Sequence, residues 1–246
     1  MKIKIVTVSK DSSFKLSNDS LESTKDIADV SIEYVANNSR ALPIIYNEHL
    51  KNARTTNDID YLVFMHSDVL FNIKDFVVHL LSLNGKYDVI GLCGTSTFNV
   101  SQSPLNWWTS SNPTPFDKWG CVIHGELGNQ TSFFSSHSPN VTDHEVSCID
   151  GLCIIFAKSA LMSDMLFDET LGAFDFYDSD ISMQTIMQYK LKLGVMVRKD
   201  LYHYSVGKSI LTDSFLETEL KFRKKWNFPI PNDSAISRYV DSHNKV

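Results

Sequence analysis

Apolar and polar positions alternate along this chain in two periods, one of strands and one of helices. Residues 2–8 alternate as a first strand and residues 30–36 as a second, with a short helix expected in the Ser-, Asp- and Lys-bearing connection 10–29. Ile44, Ile45, Leu50 and Ala53 share one broad face, which predicts a helix over 43–54. Residues 61–65 are apolar throughout and follow the polar Asn57-Asp58-Ile-Asp60, the pattern of a buried strand. A helix over 75–83 and a short buried strand over 88–93 come next.

Farther on, 147–156 reads as a strand interrupted by Asp150-Gly151, followed by a helix over 158–165. An amphipathic helix is expected over 179–193 and a strand over 195–199. A charged helix over 214–226 would turn Phe215, Leu220, Phe222 and Trp226 inward, and its Lys221–Lys225 charge run reads as a solvated face. Strands alternating with helices predict an α/β fold, with one domain over 1–227 and a polar tail over 228–246.

Residues 95–147 break this pattern. They are rich in Ser, Thr, Asn and Pro, yet hold Trp107, Trp108 and Trp119, so loops over a site are expected, with one strand over 120–124. The Trp107-Trp108 pair reads either as core or as a sugar-stacking platform.

The 246 residues are 43% hydrophobic and 21% charged, an ordinary globular composition. A net charge of -6 argues against general nucleic-acid binding. Cys93, Cys121, Cys148 and Cys153 form no metal-type pair, and three sit in apolar strands, so buried reduced thiols in a cytoplasm are expected. The chain opens directly on a strand pattern, and no apolar run reaches the roughly 18 residues of a membrane span, so neither a leader nor an anchor is expected.

Four polar clusters fall at element ends: Asn37-Asn38, His66-Ser-Asp68, Asp175-Phe-Tyr-Asp178-Ser-Asp180 and His203-Tyr-Ser-Val-Gly207. Open α/β sheets bind ligands at the carboxyl ends of their strands. Asp68 there would be a hard oxygen ligand for Mg2+ or Mn2+, and through it for a diphosphate. A second carboxylate would take the proton of an attacking hydroxyl. Each cluster also has a plainer reading: Asp68, Asp178 and Asp180 as helix caps, His66 and His203 as hydrogen-bonded structural histidines, Asp150-Gly151 as a turn or bulge.

In order along the chain, these motifs resemble glycosyltransferases of the GT-A fold, family 2-like. The resemblance rests on Val35-Ala-Asn37-Asn38, Tyr46-Asn47, Phe64-Met-His66-Ser-Asp68-Val, Asp150-Gly151, Phe167-Asp168-Glu169, Phe176-Tyr177-Asp178-Ser-Asp180 and His203-Tyr-Ser205-Val-Gly207, and extends over residues 2 to about 227. It implies a mixed, mainly parallel sheet flanked by helices, and a metal-dependent inverting transfer from a nucleotide-diphosphate sugar to a glycan or lipid-linked saccharide. Peripheral membrane contact would follow from a lipid-linked acceptor. It further implies metal ligation by Asp68 and His203, with Mn2+ or Mg2+ as cofactor, and donor contacts from Asn37, Asn38, His66, Asp150 and Gly151. Trp107, Trp108 and Trp119 would form an acceptor wall. Asp178 is the implied base and Asp180 its rival. The alternatives are a non-catalytic glycan- or nucleotide-binding module and a nucleotidyltransferase; the latter would carry a Gly-rich phosphate loop, and Ser9-Lys-Asp-Ser-Ser13 contains no Gly.

Overall fold

The computed structural model of the chain describes residues 1–101, 105, 117–126, 129–134, 140–205, 212–232 and 234–243. Strand β1 (Lys2–Val8), a 3-10 turn (Asn18–Thr24) and β2 (Asp29–Val35) lead into α1 (Leu42–Thr56). Then come β3 (Tyr61–His66), β4 (Val69–Leu70), α2 (Ile73–Ser82), β5 (Val89–Gly91) and β6 (Gly94–Thr95). The middle of the chain supplies β7 (Lys118–Trp119), β8 (Cys121–His124), β9 (Thr131–Phe134), β10 (Asp143–Glu145) and β11 (Cys148–Ile149). After β12 (Cys153–Ala157) and α3 (Lys158–Leu161), helix α4 (Tyr177–Met183) runs into a π-helical turn (Gln184–Gln188). Strands β13 (Leu193–Met196) and β14 (Tyr202–His203) and helices α5 (Asp213–Trp226) and α6 (Ala235–His243) complete the described chain.

Seven of these strands form the central sheet in the order β10-β13-β5-β12-β3-β1-β2. Its pairings leave β1, β2, β3, β5 and β13 running one way, with β12 and β10 opposed. This is the mixed, mainly parallel α/β sheet that the sequence led us to expect. The period-2 alternation of β3 explains the layering. Tyr61, Val63 and Met65 enter one core with Phe76, Val77 and Leu80 of α2. Leu62 and Phe64 enter the other, with Ile45, Tyr46 and Leu50 of α1 and Ile181 of α4. Phe64 stacks on Tyr46 at 4.2 Å between ring centres. Burying such a ring contributes about 1.5–3 kcal/mol.

Helix ends follow local chemistry. Pro43 lies in the first turn of α1, where a missing N–H costs nothing, and Asn57 closes that helix in the left-handed region. Asn72 and Thr212 cap α2 and α5 by accepting from the Asp75 and Phe215 N–H groups. All four cysteines are free and buried, as expected.

Three elements differ from expectation. The helix expected over 158–165 stops at Leu161, because the Ser163 hydroxyl donates to the Ala160 carbonyl and accepts from the Met165 N–H, competing with the helical ladder. The helix expected over 179–193 stops at Gln188; Lys190 turns left-handed and residues 193–196 become a strand beside β5. Gly194 permits this, since a Cβ there would lie 2.5 Å from the Tyr87 ring. Finally, α6 forms within the stretch read as a polar tail, packing on α5 with Ile236 fully buried. No helix among the described residues is long and apolar enough to cross a membrane.

Candidate active site

Sheet register brings the polar clusters to one edge. Val8 pairs with Val35 on one side and His66 on the other, so β1, β2 and β3 end in the same row. Strand β12 runs against β3 with Cys153 opposite Met65, so the Asp150-Gly151 turn enters at that edge too. The fourth cluster arrives by a short ladder: His203 pairs with Val69, and the Tyr204 N–H donates to the Asp68 carbonyl at 2.9 Å.

The result is a compact donor set. His203 Nε2 lies 3.4 Å from Asp68 Oδ1, and the ligating atoms of His66, Asp68 and His203 all fall within 4.8 Å of one another. His124 of β8 sits beside His203 in register, with ring centres 5.3 Å apart. Burial, then the charge of His203, pushes the His66 imidazole down to about 4, so it stays neutral with a lone pair to offer. Burial alone would raise the Asp68 carboxyl; the His203 hydrogen bond and charge outweigh it and hold Asp68 below its ordinary value. The buried His203 Nδ1 has no hydrogen-bond partner among the described residues. Two imidazoles and a carboxylate suit a divalent cation, and Mn2+ better than Mg2+, because nitrogen donors favour the softer ion.

Asp178 reaches the same edge from α4, through the Gly151 turn. Phe176, left-handed at φ 64°, turns the chain into α4 and places Asp178 in its first turn. One carboxylate oxygen accepts the Gly151 N–H at 3.0 Å and the other the Ser179 N–H at 2.7 Å. Burial, helped by the nearby Asp150 charge, raises the Asp178 carboxyl to about 7 despite those N–H groups. A carboxylate near neutrality at a sheet edge is suited to general-base work. Hydrogen bonds connect Asp178 with His66: Gly151 N–H to Asp178, Tyr177 hydroxyl to the Gly151 carbonyl at 2.9 Å, and that hydroxyl to His66 Nε2 at 2.7 Å. Asp150 closes the turn by accepting the Leu152 N–H at 2.8 Å.

Asp180, the rival base, is fully buried and occupied. Its oxygens receive the Trp226 indole N–H at 2.9 Å, the Gln184 amide at 2.7 Å and the Lys225 ammonium at 2.9 Å. Lys225 also binds Asp168 at 2.8 Å, tying α5 to the Phe167-Asp-Glu turn, while Asn47 locks that turn by accepting the Phe167 N–H and donating to its carbonyl. The Lys221–Lys225 run is therefore only partly a solvated face. Within it Arg223 is fully buried and paired with buried Glu219 at 2.8 Å.

Asn37 and Asn38 lie just beyond β2 at the same edge, Asn37 left-handed at φ 53° and hydrogen-bonded through its N–H to Asp11. Trp107, Trp108 and Gly207 lie outside the described residues. Trp119 is buried in the core and stacks on His144 at 3.5 Å, which removes it from an open wall. Among the described residues, an exposed aromatic beside the site is Phe174, 45% exposed, with its ring centre 5.5 Å from that of His66. Sequence reading missed Phe174, His124 and the role of Tyr177. His124 alone carried a signal, as the last residue of an expected strand.

The strand ends of this mainly parallel α/β sheet thus gather a His66, Asp68 and His203 donor set close enough to hold a metal ion. The chain belongs to the Glycosyltransferase like family, whose profile matches residues 4–225. A curated relative, chitin synthase 8 of Verticillium dahliae (strain VdLs.17 / ATCC MYA-4575 / FGSC 10137), is 28% identical over 127 residues, 46% of this chain and 20% of that protein. Its alignment thus spans about a fifth of that relative. Among solved structures, A197 from STIV matches with 14% identity and a TM-score of 0.45 over 86% of this chain and 98% of that one. S. aureus TarS 1-349 in complex with UDP matches at 13% and 0.45, over 100% and 72% of the two chains. GalNAc-T7 with UDP, GalNAc and Mn2+ matches at 9% and 0.48, over 99% and 54%. Likeness at these scores fixes no chemistry.

Proposed function

We propose that this chain transfers a sugar from a nucleotide-diphosphate donor to a hydroxyl of a glycan or lipid-linked saccharide, with inversion and dependence on a divalent cation. The observation that carries the reading is the pairing, at one sheet edge, of a His66–Asp68–His203 donor set with a buried carboxylate raised to about 7. A cation held by those three residues would supply charge to offset the departing diphosphate. Asp178 accepts the acceptor's hydroxyl proton as the new C–O bond forms at the anomeric carbon. The old bond to phosphate oxygen breaks, and its electron pair leaves with the nucleoside diphosphate. One carboxylate in a basic role fits single displacement, hence inversion. Asn37 and Asn38, just beyond β2, would contact the base or ribose of the donor. Likeness to a chitin synthase over 46% of the chain favours a growing glycan as acceptor, and a lipid-linked one would draw the chain to a membrane surface.

A panel of nucleotide sugars, each scored for thermal stabilisation with and without Mn2+, tests this reading. At least one donor is expected to raise Tm only with the cation, and Mn2+ is expected to act at lower concentration than Mg2+. A chain stabilised by no nucleotide under either condition would instead be a non-catalytic module.

A further inference from the structure

Tyr177 is fully enclosed, yet its hydroxyl meets two polar atoms from different elements: His66 Nε2 at 2.7 Å and the Gly151 carbonyl at 2.9 Å. A phenol has one proton and a carbonyl can only accept. The hydroxyl therefore donates to Gly151, because the reverse arrangement would leave a buried carbonyl without that partner. Its lone pair then accepts a hydrogen bond from the His66 Nε2–H. This fixes the imidazole as the Nε2–H tautomer and leaves Nδ1 as its one free lone pair.

Three further features hold the phenol in place. Phe176 adopts φ 64°, a costly conformation for a phenylalanine, directly before it. A Cβ on Gly151 would lie 2.2 Å from the hydroxyl, so the turn accepts only glycine at this distance. The ring also rests among Tyr46, Phe167 and Phe174, with centres 6.0, 6.0 and 6.1 Å away.

Resting on the reading above, we propose that Tyr177 is a positioning residue that sets the tautomer of His66 and presents its Nδ1 to the cation. The same hydroxyl holds the turn whose Gly151 N–H orients Asp178, so cation ligand and base are aligned by one side chain.

Partners of this kind typically tune metal affinity by about 10–100-fold. The test has two arms. Mn2+ affinity, read from the electron paramagnetic resonance of the free ion in the full chain with uridine diphosphate, is expected to weaken by about 10-fold or more in Tyr177→Phe. Equal affinity in a variant that melts like the parent would overturn the proposal. The second arm uses the unaltered protein: nitrogen-15 histidine spectra without metal, with His66 assigned by loss of its signals in His66→Gln. An Nε2–H tautomer is expected, and an Nδ1–H tautomer overturns the proposal even if Tyr177→Phe does not fold. A parent chain that binds no Mn2+ would count against the transferase reading, while the tautomer still decides the part played by Tyr177.

Discussion

Asp178→Asn is expected to lower transfer by about 10²–10⁴-fold, the contribution of a positioned general base, while nucleotide binding persists. Asparagine keeps the shape and one acceptor oxygen but takes no proton. A second signature separates this from a folding defect. The Asp178 carboxyl has an ordinary value of 3.8 and is raised to about 7 by burial, so the folded state binds its proton more tightly than the unfolded one. Its stabilising contribution is full below pH 4 and is lost as pH rises through 7, amounting to ~4 kcal/mol at about 1.36 kcal/mol per unit. Asparagine has nothing to lose. Measured without metal, the stability of Asp178→Asn relative to the parent should therefore climb between pH 4 and 8. Parallel stability curves would remove the raised carboxyl, and undiminished turnover would remove the base. In the parent, kcat/KM should rise with pH around neutrality, as the carboxylate forms.

Asp180→Ala should behave in the opposite way. It removes the buried acceptor of the Lys225 ammonium, an indole N–H and a carboxamide at once, and breaking a buried pair costs about 3–5 kcal/mol. Lys225 is partly exposed, so the lower end, ~3 kcal/mol, is expected. Denaturant melts should show the midpoint falling while the pH dependence of the rate keeps its shape. A variant as stable as the parent with its rate abolished would return Asp180 to the catalytic role.

The contrast between these two aspartates shows what could be read from the sequence. Two carboxylates at i and i+2 before a helix read first as caps, and only the family resemblance singled out Asp178 as base with Asp180 its rival. The distinction comes from Lys225 and Trp226, some 45 positions away, and no local pattern announces such a contact. Strands β1 and β3 and helix α1 were legible because their periods are strong and their cores continuous. His66, Asp68 and His203 were legible as motifs at strand ends, and the ladder between β4 and β14 explains why they meet. Tyr177 was hidden because its role depends on a glycine without a Cβ and a left-handed phenylalanine, both invisible to periodicity. The helix expected over 179–193 failed for a related reason: tertiary pairing of residues 193–196 with β5 overrode a fair helical pattern.

The most direct measurement is anomalous diffraction at the manganese edge from crystals soaked with Mn2+ and uridine diphosphate. A single peak enclosed by His66, Asp68 and His203, with diphosphate oxygens completing its shell, is the expected result. Manganese bound elsewhere, or diphosphate seated away from these three side chains, would contradict it.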